Sequence, residues 1–103
     1  MAKIEDIPRM TLEELRPLIQ RALGLETWPA SDWIVVGMIF DQVGIQISRA
    51  AAPPHGFSVT VMGKEIGGGI GSGSDPEPVT AIFRAYLTWR SYQKIKRNNP
   101  TKS

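Results

Sequence analysis

A chain of 103 residues can build one modest hydrophobic core but is too short for two comfortable domains. Its hydrophobic fraction of 42% and charged fraction of 21% are typical of a globular protein and argue against global disorder. The absence of cysteine excludes disulfides and thiolate metal sites, and the single histidine, His55, predicts no zinc site. No apolar stretch has the length of a signal peptide or a membrane span, so we expect a cytoplasmic protein.

The net charge of +2 is unevenly distributed. Acidic residues outnumber basic ones over residues 1–52, and the balance reverses over residues 53–103. The last eleven residues carry four basic side chains and no acid: Lys94, Lys96, Arg97 and Lys102. We predict a single domain over 1–103, with an ordered core over about 10–97 and a basic tail over 98–103.

The first predicted helix begins with a capping box, Thr11-Leu-Glu-Glu14. Gly24 stands where a left-handed residue would end this helix. Pro17 removes one backbone hydrogen bond and is expected to kink the helix. The apolar residues at three- and four-residue spacing are Leu12, Leu15, Ile19, Ala22 and Leu23.

The second predicted helix has Ser31 or Asp32 as its N-cap and Gly44 as its terminator. Its predicted inner face consists of Trp33, Val36, Gly37, Phe40 and Val43. A glycine inside a helix costs roughly 1 kcal/mol relative to alanine. Gly37 therefore indicates that another backbone packs closely against this face.

After Gly44 the hydrophobic period changes to two, because residues 45–48 and 57–62 alternate between apolar and polar. Gly63-Lys64 is typical of a tight turn leading into a third strand from Glu65 to about Ile70. These three segments predict a short antiparallel meander with one apolar face.

The last helix is predicted to start at Asp75-Pro-Glu-Pro78, with Asp75 as cap and Pro76 at the first helical position. Its predicted inner face consists of Val79, Ile82, Phe83, Tyr86, Trp89 or Arg90, and Gln93. The element order is then α-α-β-β-β-α. This order predicts an α+β layered sandwich, in which helices cover a short antiparallel three-stranded sheet.

The segments SDWIVVGMIFDQVGIQIS and DPEPVTAIFRAYLTW, separated by strands, resemble the small bacteriophage family described as the phage ABA sandwich domain. The resemblance covers residues 11 to about 92, whereas the glycine run and AAAPPHG have no counterpart in that family. It implies a phage or prophage accessory protein working in a bacterial cytoplasm, and it carries over no activity or site residue.

The glycine-rich segment EIGGGIGSGSDPEP, residues 65–78, is the most unusual stretch of the chain. Successive glycine amides next to a helix start can bind an anion. The spacing matches neither of the common nucleotide-binding fingerprints, however. We interpret the segment as a mobile strand-to-helix loop, with a loop that closes on a ligand as the alternative.

No catalytic constellation is apparent. His55 lies between Pro-Pro and Gly56 without a neighbouring acid, which is typical of a turn residue. The carboxylates are accounted for as helix caps and polar faces. We therefore predict no enzyme, no cofactor and no metal.

The leading hypothesis is a non-enzymatic, phage-type binding protein that counters host defence. It would act as a sponge for a nucleotide signal or as an inhibitor blocking a host protein, and it would form a homo-oligomer without a membrane partner. The alternatives are a nucleic-acid-binding accessory protein that uses the basic C-terminal segment, and a phage assembly partner. The predicted ligand-binding residues are Lys64, Gly67, Gly68, Gly69, Gly71, Ser72, Ser74, Arg84, Trp89 and Tyr92.

Overall fold

The computed structural model describes residues 4–49, 56–64 and 69–97 of the chain. The elements are a 3₁₀ helix at Ile4–Arg9, α1 at Leu12–Leu23, α2 at Asp32–Gln42, β1 at Val43–Arg49, β2 at Phe57–Gly63, β3 at Ile70–Asp75 and α3 at Pro78–Arg97. The predicted α+β class and the order α-α-β-β-β-α are confirmed.

Helix α1 has the ends that its sequence predicts. The Glu14 amide donates to Thr11 Oγ1 at 3.3 Å, and the Thr11 amide donates to Glu14 Oε1 at 3.0 Å, which completes the capping box. This backbone hydrogen bond from Thr11 lowers the pKa of Glu14. Gly24 follows the helix in the left-handed conformation, at φ 69°.

Helix α2 runs into β1 without an intervening loop. The predicted terminator, Gly44, lies instead inside β1, where it is paired with Met62. The helix ends because Val43 is already extended, at φ −141° and ψ 158°, and is paired with Gly63. The start and stop of α2 therefore depend on different kinds of signal: Ser31 caps the N-terminus locally, whereas sheet pairing ends the helix.

The predicted inner face of α2 is correct only in part: Val36 and Val43 are buried, whereas Trp33, Gly37 and Phe40 are exposed. The buried residues of the helix are Val35, Val36 and Ile39, whereas Trp33 is 56% exposed and Phe40 is 47% exposed. Apolar residues occupy every side of this helix, so their spacing alone does not select a face. Packing against the rest of the chain makes that selection.

The sheet is antiparallel with strand order β1-β2-β3. On β2, Val59 and Val61 are buried beneath the helices, while Ser58 and Met62 point to the opposite, exposed face. The hydrophobic core is centred on α3, which packs on both β2 and β3.

The third strand lies later in the chain than predicted. It spans Ile70–Asp75, whereas the predicted strand from Glu65 to Ile70 falls mostly on residues 65–68, outside the described residues. Within residues 69–78, the described part of the segment interpreted as a mobile loop, Ile70–Asp75 form a strand. A Cβ atom on Gly71 would lie 2.5 Å from Ala85 O, so glycine here serves the close approach of α3 to β3.

The start of α3 also differs from the prediction. Glu77, not Asp75, caps the helix: its carboxylate accepts from the amides of Val79 at 3.3 Å and Thr80 at 2.8 Å. The first helical residue is Pro78 rather than Pro76. Asp75 cannot occupy the cap because it is still part of β3, where it is paired with Phe57.

The inner face of α3 is the part of the core that the sequence predicts best. The predicted residues Val79, Ile82, Phe83 and Tyr86 are buried. Trp89 is partly buried against the core, whereas Arg90 is exposed, which decides between the two alternatives at that turn.

Candidate functional site

Among the described residues, the predicted ligand-binding residues fall into groups rather than one site: Gly69 and Gly71 lie against Trp89, and Ser72, Ser74 and Arg84 line a small cavity. Lys64 is exposed and donates from Nζ to the backbone oxygen of Asp41, 3.0 Å away, at the end of α2. Tyr92 is 50% exposed, and the Trp89 ring packs against that of Tyr86 with centroids 5.9 Å apart. Gly67 and Gly68 lie outside the described residues, and Gly69 is exposed at φ 83°.

Three of the predicted residues, Ser72, Ser74 and Arg84, do meet, around a cavity of about 250 Å³ beside β3. Arg84 Nη1 donates to Ser74 O at 2.7 Å and to Asp75 Oδ1 at 2.8 Å, while Nη2 donates to Met10 O at 2.7 Å. The guanidinium therefore holds the segment before α1 against β3. The cavity is smaller than the roughly 300–1,000 Å³ of typical ligand pockets.

A larger cleft of about 590 Å³ lies where the second half of α1 meets the first turns of α2 and α3. None of its lining residues belongs to the predicted ligand-binding set. The residues that define its chemistry are Arg16, Gln20, Trp28, Asp32, Trp33 and Glu77. We call it the Trp28–Trp33 cleft.

Asp32 organises the wall of this cleft. Arg16 donates from Nε to Asp32 Oδ1 at 3.1 Å and from Nη2 to Oδ2 at 2.8 Å, a two-pronged ion pair between α1 and α2. Trp28 Nε1 donates to the same Oδ1 at 2.9 Å. The hydrogen bonds from Arg16, helped by that from Trp28, hold the pKa of Asp32 below its ordinary value although partial burial opposes them.

Trp28 connects this wall to the core. Its ring packs edge-on against that of Phe83, with centroids 5.9 Å apart and an interplanar angle of 86°. This contact and the hydrogen bond to Asp32 give the indole of Trp28 a defined position. Trp33, in contrast, exposes more than half of its surface beside the cleft opening, where it is available to a ligand.

The cleft has an excess of negative charge. Asp32 neutralises Arg16, and the Glu77 carboxylate adds a further negative charge where it caps α3. The two acids also occupy the positive N-terminal ends of α2 and α3, which would otherwise attract an anion. Two indoles beside surplus carboxylate form a surface suited to a cationic or aromatic side chain.

The sequence contained a signal for this cleft in WPASDW, residues 28–33. Trp28 and Trp33 stand on either side of the helix cap Ser31. A short connection that faces solvent does not need two such large apolar side chains. The contribution of Arg16 had no comparable signal, because its partner lies sixteen residues away.

Comparison with family models, curated proteins and solved structures found no match to this chain. Within residues 4–49, 56–64 and 69–97, no cluster of three or more acidic or histidine side chains is suited to a metal ion. No helix in the described part of the chain has the length and apolar character needed to cross a membrane.

Proposed function

We propose that this protein is a non-catalytic binding protein that blocks a protein partner, a side chain of which enters the Trp28–Trp33 cleft. The observation that carries the proposal is the exposed indole of Trp33 beside a cleft with surplus carboxylate. The resemblance to the phage ABA sandwich family supports a phage-infected bacterial cytoplasm as the setting. A host protein, such as a component of a defence system, is the partner we infer.

The internal hydrogen bonds favour a protein partner over a nucleotide signal. Arg84 and Lys64, the cations expected to bind phosphate, already donate to oxygens of the protein. In the cleft, Arg16 is paired with Asp32. A phosphate entering the cleft would meet Glu77 without an uncompensated cation nearby, which makes its binding unfavourable.

The partner's anchoring residue is expected to be arginine, or an aromatic residue in second place. A guanidinium over an indole gains about 0.5–2 kcal/mol, depending on how far it is desolvated. Tryptophan and arginine are also the residue types that dominate the binding energy of protein interfaces. The cleft provides both the aromatic surface and the charge for such an anchor.

Fluorescence titration of the tryptophans tests this proposal. A short arginine-containing peptide should quench or shift the emission, and the citrulline counterpart should bind about tenfold more weakly because it lacks the charge. Trp33→Ala and Glu77→Gln should each weaken the arginine peptide's effect. Tyr92→Ala, at a similarly exposed aromatic residue outside the cleft, is the matched control.

The same experiment tests nucleotides as the competing class of ligand. Cyclic dinucleotides, cyclic trinucleotides and ADP-ribose are expected to leave both the emission and the melting temperature unchanged. A nucleotide that raises the melting temperature, combined with no difference between arginine and citrulline peptides, would replace this proposal by the nucleotide-sponge hypothesis.

A further inference from the structure

Gln20, which lines the Trp28–Trp33 cleft, has an amide group whose orientation is fixed by hydrogen bonds. Its Nε2 donates to Leu25 O and to Glu26 O, both at 3.2 Å. Two backbone carbonyls can be matched only by the amide nitrogen, because the amide oxygen is itself an acceptor. The nitrogen of Gln20 is therefore committed to the connection after α1, and the side-chain oxygen is left over.

This side-chain oxygen of Gln20 is both unpaired and accessible. Gln20 Oε1 has no hydrogen-bond partner among the described residues. Within the same residues, Arg84 Nε is the only buried side-chain nitrogen or oxygen that lacks a partner, so Gln20 Oε1 is in contact with solvent. A ligand that occupies the cleft can therefore donate a hydrogen bond to it.

The two acids of the cleft have less acceptor capacity left for a ligand. A carboxylate offers about four acceptor positions, and an amide oxygen offers about two. Asp32 uses three positions for the guanidinium of Arg16 and the indole of Trp28. Glu77 uses three as well, all within the first turn of α3. Each acid thus keeps one free position, whereas Gln20 Oε1 keeps both of its own.

We propose that Gln20 makes the Trp28–Trp33 cleft specific for arginine, by accepting hydrogen bonds from the guanidinium while the exposed indole of Trp33 contacts its face. This inference rests on the proposed function, because it requires a partner's side chain in the cleft. A guanidinium carries five N–H donors in a planar fork, so it donates along its edge while its face lies on an indole. A lysine ammonium is a compact point charge and does not combine the two contacts in this way.

Glu77 and Gln20 act on different properties of the ligand. The carboxylate of Glu77 attracts lysine and arginine alike, because it responds to charge. The oxygen of Gln20 is uncharged, so it distinguishes ligands by the position and direction of their donors. One net hydrogen bond to this oxygen corresponds to about a fivefold difference in affinity.

Titration of the tryptophan fluorescence with two peptides that differ only in one residue, arginine or lysine, tests the role of Gln20. The wild type should bind the arginine peptide about tenfold more tightly, through the hydrogen bond and the better stacking of the guanidinium. Gln20→Met is similar in size and uncharged, and it should reduce this ratio by about fivefold. Gln46→Met, at an exposed glutamine of β1 outside the cleft, is the matched control and should keep the wild-type ratio.

A second pair of variants separates ligand binding from a structural role in the connection after α1. Gln20→Lys keeps a donor for Leu25 O and Glu26 O but loses the acceptor, whereas Gln20→Glu keeps the acceptor and loses the donors. The arginine-to-lysine ratio should fall in Gln20→Lys and persist in Gln20→Glu. The added charges act on both peptides equally and leave the ratio unchanged. The opposite order would make Gln20 an anchor of the connection only and overturn the proposal.

Failure of this inference differs from failure of the proposed function. Equal affinity of the wild type for arginine and citrulline peptides overturns both. A preference for arginine over citrulline, combined with the same arginine-to-lysine ratio in the wild type and Gln20→Met, overturns only the role of Gln20. Circular dichroism verifies the fold of each variant. Equal affinity of the wild type for arginine and lysine peptides overturns the inference without any variant.

Discussion

Gly71 and Gly73 show that glycine can be required for the space it leaves rather than for backbone freedom. A Cβ atom on Gly73 would lie 2.7 Å from both Ala81 O and Ala85 N, and one on Gly71 would meet the backbone of Ala85 and Trp89. These contacts are with the backbone of α3, which cannot rotate away as a side chain can. The two glycines therefore set the distance between β3 and α3.

Replacing Gly71 with alanine should destabilise the protein, because α3 must move to make room for the new Cβ atom. We expect a loss of about 3 kcal/mol, at the upper end of the range for overpacked cores. Urea denaturation of the variant measures this change in the free energy of unfolding. Gly44→Ala is the matched control in a strand, since its Cβ would make an ordinary contact 3.8 Å from Met62 O. Equal losses in the two variants would contradict the packing role of Gly71.

Arg84 illustrates how a cation that looks free in sequence can be held by its own fold through both terminal nitrogens, although its buried Nε has no hydrogen-bond partner among the described residues. Its guanidinium contacts oxygens of Met10, Ser74 and Asp75, and its side chain is only 13% exposed. One of those partners lies 74 residues away in the chain. No local pattern around Arg84 could have shown that both terminal nitrogens already donate to oxygens of the protein.

At the scale of elements, the start of α3 shows what local rules decide. Asp-Pro-Glu-Pro contains two acids and two prolines, each pair two residues apart, and both registers satisfy the preference for an acidic cap before proline. The sequence therefore predicted the helix start to within two residues. Pairing of Asp75 with Phe57 in the sheet then selected the second register.

Glu77→Ala should lower the free energy of unfolding by about 1 kcal/mol, because two amides of the first turn lose their acceptor. Thermal or urea denaturation measures the loss. Glu77→Gln keeps a side-chain oxygen and should lose less. Wild-type stability in the alanine variant would show that water replaces the cap without cost.

Helix α2 shows what the same local rules do not decide, namely which side of a helix is buried. Its N-cap, Ser31, was among the two predicted residues, and its side chain accepts from the Trp33 amide at 3.2 Å. Two of the five residues of its predicted inner face, Val36 and Val43, are buried, and the other three are exposed. The helix has apolar residues on several sides, so their spacing alone does not select the buried one.

At the scale of the whole molecule, the Arg16–Asp32 ion pair joins α1 to α2. Trp28 connects this pair to the core, because it donates a hydrogen bond to Asp32 and packs against Phe83 of α3. This linkage makes the stability of the fold sensitive to acid. The folded state lowers the pKa of Asp32, so its carboxylate adds stability above the ordinary pKa of about 4. That contribution is lost as the pH falls through the lower, folded-state pKa.

Asp32→Asn should therefore be less stable than the wild type at neutral pH, by about 1–2 kcal/mol, and the difference should shrink below about pH 4. Urea denaturation at a series of pH values checks the prediction. Asp41→Asn, an exposed acid at the other end of the same helix, is the control and should be close to neutral. A constant difference across the acid range would contradict the role given to the ionised carboxylate.

The sequence by itself determined the fold class, the order of the elements, both ends of α1 and the inner face of α3. These features follow from signals that act over a few residues: caps, left-handed glycine, and the period of apolar side chains. For these features the sequence offers no equally good alternative nearby, apart from the choice between Trp89 and Arg90 on α3, which the structure made.

Only the tertiary structure decided which side of α2 is buried, where β3 lies, what Arg84 binds and which residues form the Trp28–Trp33 cleft. In each case the local pattern allowed several outcomes of similar free energy. Contacts between residues distant in sequence, such as Arg16 with Asp32 and Gly71 with α3, selected one of them. Such contacts depend on how whole elements pack, and that information is spread over the entire chain.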